Sequence, residues 1–150
     1  MPKFKVLKEG VNEAIVASVR TKVEGYLKEL FNDDEIIKID DQYSFAFGTV
    51  SVNVRVIGWH TEDALVEVFS YLAEDIEITN ELKDELLRNN ATTHFGSFGL
   101  TFDKSVIYSY SLAGANLDLN EFTAAVQTVA VVADNYDEVV LANRVGAVAK

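Results

Sequence analysis

Four valines stand at every second position of one stretch, Val50, Val52, Val54 and Val56, with Ser51, Asn53 and Arg55 between them. A period of two places the valines on one face of a pleated strand and the polar groups on the other, which a helix cannot do. β-Branched side chains also suit a half-buried sheet surface. The pattern recurs on both sides. Tyr43, Phe45 and Phe47 alternate with Ser44 and Ala46, and Gly48 marks a bulge or turn before the valines. Ile36 to Ile39 reads as a short strand, with a turn at Asp40-Asp41. After a polar turn at His60 to Asp63, Leu65 to Ala73 is a further strand. Phe98, Leu100 and Phe102, then Val106, Tyr108, Tyr110 and Leu112, alternate across Asp103-Lys104-Ser105 and predict a hairpin.

Three segments change to helical spacing. From Asn12 to Phe31, Ile15, Val19, Val23, Tyr26, Leu27 and Leu30 recur at three- and four-residue steps, with Asn12 placed to cap them. From Thr79 to Asn90, Thr79 is the expected cap and Leu82, Leu86 and Leu87 the expected inner face. The last helix begins at Asp118, where Asp118 and Glu121 have capping-box spacing. Its inner face is Phe122, Val126, Val129, Ala133, Tyr136 and Val140; Gly146 is the expected stop, with an earlier break possible near Asp134-Asn135. The expected order is α-β-β-β-α-β-β-α: an α+β chain with a mostly antiparallel five-stranded sheet packed with helices. A length of 150 residues fits one domain, 1–150, with its core over about residues 12–146.

Composition narrows the chemistry. Without cysteine there are no disulfides, thiolate metal sites, iron–sulfur clusters or Cys nucleophiles. The net charge is −11, and residues 29–85 alone hold 15 acidic against three basic side chains. Such a segment repels phosphate backbones, so no nucleic-acid partner is expected. The small positive excess before residue 29 falls on the first helix and reads as a solvated face. Met1 to Gly10 carries Lys3, Lys5 and Lys8 and no apolar run, unlike a signal peptide. The most apolar stretch, Ala124 to Ala133, is interrupted by Gln127 and is far shorter than the ~20 residues of a membrane span. A cytoplasmic protein is expected.

Catalytic and metal patterns are missing. His60 and His94 lack a carboxylate or second imidazole at helical ligand spacing and read as a turn residue and a strand-edge residue. Asp33, Asp34, Glu35, Asp40 and Asp41 enclose isoleucines rather than the glycine and alternating donors of a calcium loop. Glu74-Asp75 with Glu77 reads as solvated surface able to meet a basic partner. Gly96 and Gly99 lie in an expected strand and do not open a helix, so they form no phosphate cradle. No enzyme activity, metal or cofactor is expected.

Some strands are apolar on both sides. Beyond the valines, the other face of Val50–Val56 carries Asn53 and Arg55, then Ile57 and Trp59. The next strand turns Val66 and Val68 one way, and Leu65, Phe69 and Tyr71 the other. Either helices one and three cover one face and helix two the other end, or the second face is a partner site or an oligomer interface. On the second reading Arg55, Trp59, Phe69 and Tyr71 are the candidate binding residues, and changing Trp59 and Phe69 together should remove a client without unfolding the chain.

Several segments, in order, carry a resemblance. They are Tyr43-Ser-Phe-Ala-Phe-Gly-Thr-Val-Ser-Val-Asn-Val-Arg-Val, Leu65-Val-Glu-Val-Phe-Ser-Tyr-Leu-Ala-Glu-Asp-Ile, Leu82-Lys-Asp-Glu-Leu-Leu-Arg-Asn-Asn-Ala, Phe95-Gly-Ser-Phe-Gly-Leu, Val106-Ile-Tyr-Ser-Tyr-Ser-Leu, and Leu117-Asp-Leu-Asn-Glu-Phe continuing to Val131-Val-Ala-Asp-Asn-Tyr-Asp. Over about residues 12–146 the chain resembles the YbjN-type domain family, which is similar to type III secretion chaperones in fold. The resemblance implies a homodimeric, non-enzymatic chaperone or adaptor that holds an extended segment of a client protein. Helix two with a neighbouring strand is the candidate dimer interface. The alternative is a small-molecule-sensing or regulatory domain, which would need a closed cavity lined by aromatics such as Phe98, Phe102 and Tyr108.

Overall fold

In the computed structural model, residues 1–149 are described. The order is α1 (Glu13–Leu30), β1 (Ile36–Ile39), β2 (Gln42–Phe47), β3 (Val50–His60), β4 (Asp63–Ala73), α2 (Asn80–Thr92), β5 (Ser97–Leu100), β6 (Val106–Ala113) and α3 (Leu119–Ala149). The class is α+β, as expected, and every strand pairing is antiparallel. The sheet has six strands rather than five, in the order β1-β2-β3-β4-β6-β5. The expected order counts three strands before α2, but each of the four strand-like segments there finds a partner. β1 is the extra one, in register with β2 from Ile36↔Phe45 to Ile39↔Gln42.

Local chemistry sets the helix starts. Asn12 accepts from the Ile15 amide at 3.3 Å, and Thr79 Oγ1 from the Leu82 amide at 3.1 Å. Asp118 and Glu121 form the reciprocal pair, with the Glu121 amide donating to Asp118 at 2.7 Å and the Asp118 amide to Glu121 at 3.2 Å. The far end of α3 departs from expectation. The helix breaks neither at Asp134-Asn135 nor at Gly146 but continues to Ala149. Asp134 points its carboxylate away from its own backbone, where it accepts from the Thr49 amide at 2.9 Å. Thr49 Oγ1 also lies 2.8 Å from Asp137. This clamp ties the β2–β3 turn to α3 and explains Gly48: its φ is +54°, and a Cβ there would sit 2.2 Å from Asp134 Oδ1.

One face of the sheet makes the core. Tyr43, Phe45, Val52, Val54, Val56, Val66, Val68, Phe98 and Tyr108 are buried in a single cluster with Val19 and Val23 of α1, Leu82 and Leu86 of α2, and Phe122 and Val129 of α3. The helices meet on that side: Tyr26 of α1 packs on Phe122 at 5.8 Å, and Tyr136 of α3 donates to Asn89 of α2 at 2.7 Å. Leu87 is not on the inner face of α2; one position round from Leu86, it is 70% exposed. β5 stops at Leu100, so Phe102 leaves the alternation and projects into solvent. Gly96 precedes that strand at φ +79°, where a Cβ would lie 2.8 Å from the Ser109 carbonyl oxygen.

A polar tie fastens α1 to β2 and β1. The Tyr43 hydroxyl donates to Glu24, which Lys38 also pairs at 3.0 Å. The Tyr43 bond, then Lys38, hold the Glu24 carboxyl below its ordinary value of 4.5, while burial and the Glu24 charge push the Tyr43 phenol up. A carboxylate with a lowered folded pKa stabilises the fold above its unfolded value and loses that contribution as pH falls through the folded one. Glu24→Gln should therefore lower the melting temperature at neutral pH. In a pH series of thermal melts its deficit should shrink as pH falls below about 4.5, and vanish once Glu24 is protonated in the folded chain.

Candidate sheet-face binding surface

The opposite face of the sheet is where the expected binding residues fall. Alternation along β3 sends Ser51, Asn53, Arg55, Ile57 and Trp59 outward, and along β4 Leu65, Glu67, Phe69 and Tyr71. Register brings them together: Asn53 stands opposite Phe69, Arg55 opposite Glu67, and Ile57 opposite Leu65. β6 continues the face with Ser109 beside Phe69 and Ile107 beside Tyr71. On the far side, Ile37 and Ile39 of β1 stand exposed over Ser44 and Gln42. Among the described residues, no helix forms a layer on this side. Phe69, though buried, is absent from the core cluster of the helical side. All three helices cover one face, so the sheet is not enclosed.

Three of the four candidates touch. The Arg55 guanidinium lies 5.0 Å above the Phe69 ring and pairs with Glu67 at 2.7 Å. Phe69 in turn meets Tyr71 edge-on at 6.0 Å. Phe69 is consequently only 5% exposed, its ring covered by Arg55. Tyr71 is open, at 43%. Trp59 stands apart. It is the residue bulged out between Gly58 and His60, 45% exposed, with its ring against His60 at 4.5 Å. From strand rise it lies about 20 Å from Phe69 along the face. The bulge falls at the strand end, and no sequence signal marks it beyond Gly58 itself.

The other candidates resolve simply. His60, expected in the turn, instead ends β3, buried and paired with Asp63, and its Nδ1 accepts from the Glu62 amide at 3.1 Å. His94 is exposed ahead of β5. Among the described residues, no three His, Cys, Asp or Glu are grouped to hold a metal. No helix there is long and apolar enough to cross a membrane. Phe98, Phe102 and Tyr108 line no common cavity: Phe98 and Tyr108 pack against each other at 4.9 Å and Phe102 lies in solvent. Burial pushes the Tyr108 phenol up to about 12.

A second apolar surface, at the opposite edge of the sheet, escaped the binding-residue assignment. Leu86 and Leu87 of α2 and Phe98 and Leu100 of β5 line a cleft of about 280 Å³. Helical spacing places Leu87 only at the margin of the Leu82–Leu86 stripe, so the sequence does not signal that it stands exposed.

Fold and surface define an α+β protein whose three helices share one side of an antiparallel sheet and leave the other side open. The chain belongs to the TY-Chap1 family, described as T3SS (YopN, CesT) and YbjN peptide-binding chaperone 1, which matches it over residues 17–149. No curated relative matches the chain.

Proposed function

We propose that the protein is a non-enzymatic, cytoplasmic peptide-holding chaperone or adaptor that keeps an extended client segment on the outer face of its sheet. The observation that carries the proposal is the open face itself, with Trp59 and Tyr71 exposed at its two ends and Phe69 between them. A pleated face accepts an extended chain naturally, because alternate client side chains point down into it. Arg55 contributes a movable polar contact over Phe69, and the family description supports peptide binding. The test is affinity capture from native lysate with the wild type and a Trp59→Ala/Tyr71→Ala variant. A partner held through an extended segment should be captured by the first and lost by the folded variant. Equal capture by both would remove this face from the function.

The proposal includes a homodimer joined through α2 and β5. Leu87, 70% exposed, and Leu100, 42% exposed, flank the apolar cleft, and exposed leucines in one patch are characteristic of interfaces. Leu87→Glu should halve the mass measured by light scattering at micromolar concentration, with the helical circular dichroism unchanged. A wild type already at the mass of one chain would end the dimer reading.

A further inference from the structure

The charges around the outer face indicate what kind of segment it accepts. Along β3 and β4 the face carries one ion pair, Arg55 with Glu67, which neutralises itself at 2.7 Å. Both ends of the face are acidic. Exposed Asp40, Asp41 and Glu62 stand in the β1–β2 and β3–β4 turns, and exposed Glu74, Asp75 and Glu77 follow β4 at the other end. Two clefts join these carboxylates to the face. One, of about 510 Å³, brings Asp40 and Asp41 beside Ile39, Ile57 and Arg55; Arg20, which also lines it, is paired with Asp41 at 3.9 Å. The other, of about 500 Å³, brings Glu74 beside Tyr71, Asn53 and Ser51.

The chain itself offers an example of the complement. In Lys3-Phe4-Lys5-Val6-Leu7-Lys8, cations and apolar residues are interleaved. Glu9 bridges to His60, and the Gly10 amide donates to the Trp59 carbonyl at 3.4 Å, which fastens this segment at the Trp59 end. Lys5 Nζ then reaches Glu62 at 3.1 Å, while Phe4 and Val6 stay exposed. The acidic rim thus already holds a lysine from a basic-apolar segment.

We infer that the outer face takes extended segments in which apolar residues are interleaved with lysine or arginine. The inference rests on the peptide-holding reading and adds the chemical class of the segment. Apolar residues would cover Trp59, Tyr71 and Ile57, while the cations meet carboxylates at either end. Opposite charge speeds encounter and fixes register, and the net charge of −11 repels acidic chains.

Trp59 is the only tryptophan, so its emission reports on this face. The experiment titrates the chain with three synthetic ten-residue peptides of equal apolar content, carrying Lys, Gln or Glu at the alternate positions. The Lys peptide should bind at least tenfold more tightly than the Glu peptide, with the Gln peptide between. The gap should narrow severalfold between about 50 mM and about 500 mM salt, as screening shortens the reach of charge. It should also narrow in the variant Glu62→Gln/Glu74→Gln/Asp75→Asn/Glu77→Gln, whose melting temperature gives the control on folding. Three equal affinities would overturn the charge preference and leave the peptide-holding reading standing. Binding that leaves Trp59 emission unchanged would place the contact elsewhere and overturn it too. If none of the three binds, the peptide-holding reading itself fails and takes this inference with it.

Discussion

Exchange of Trp59 and Tyr71 for alanine should abolish client capture and leave the fold intact. The two effects separate because the two aromatics are open. Each keeps more than two fifths of its surface in solvent, so truncation removes little intramolecular packing and should cost under about 1 kcal/mol of stability per site. A client covering the same surface gains far more. At about 25 cal/mol per Å² of apolar area, burying the remaining surface of one Trp and one Tyr is worth on the order of 4 kcal/mol, roughly a thousandfold in affinity. Capture should therefore fall below detection while the melting temperature moves by a few degrees. Trp59→Ala paired with Phe69→Ala is the less clean variant. Phe69 is 5% exposed beneath Arg55, so its truncation also leaves Arg55 and Tyr71 without the ring they pack on. If Trp59→Ala/Tyr71→Ala unfolds the chain, the face is part of the core and the binding assignment is wrong.

Phe122→Ala should do the reverse, destroying stability without touching the outer face. Phe122 is fully buried in the first turn of α3, against Tyr26 of α1 and in one cluster with the sheet. It thus joins the two long helices where they meet over the sheet. Removing a buried phenyl ring costs about 3–5 kcal/mol, because its transfer energy is lost and the cavity collapses only in part. Against a total stability of about 5–15 kcal/mol for an ordinary domain, that is about a fifth or more. For a chain of this length the melting temperature should fall by roughly 10 °C, and urea unfolding should show a lower midpoint. A drop of only one or two degrees would mean that α1 and α3 do not depend on each other through this ring.

The sequence alone determined the local elements and which residues share a face. Period-two valines could only be a strand, Asn12, Thr79 and Asp118 could each cap a helix, and alternation placed Arg55, Trp59, Phe69 and Tyr71 together against the valines. These are properties of adjacent residues, set by backbone geometry and by hydrogen bonds within one turn. Which face is bare was decided elsewhere. It depends on where three helices come to rest, through contacts such as Tyr26 with Phe122 and Tyr136 with Asn89 that join residues 47 to about a hundred positions apart. Tertiary structure also decided that Leu87 faces outward, since helical spacing places it at the margin of an apolar stripe and only the packing of α2 on β5 selects a side. The bulge at Trp59 and the Arg55 guanidinium that covers Phe69 likewise arise between strands. Pairing register, which no single strand encodes, decided both.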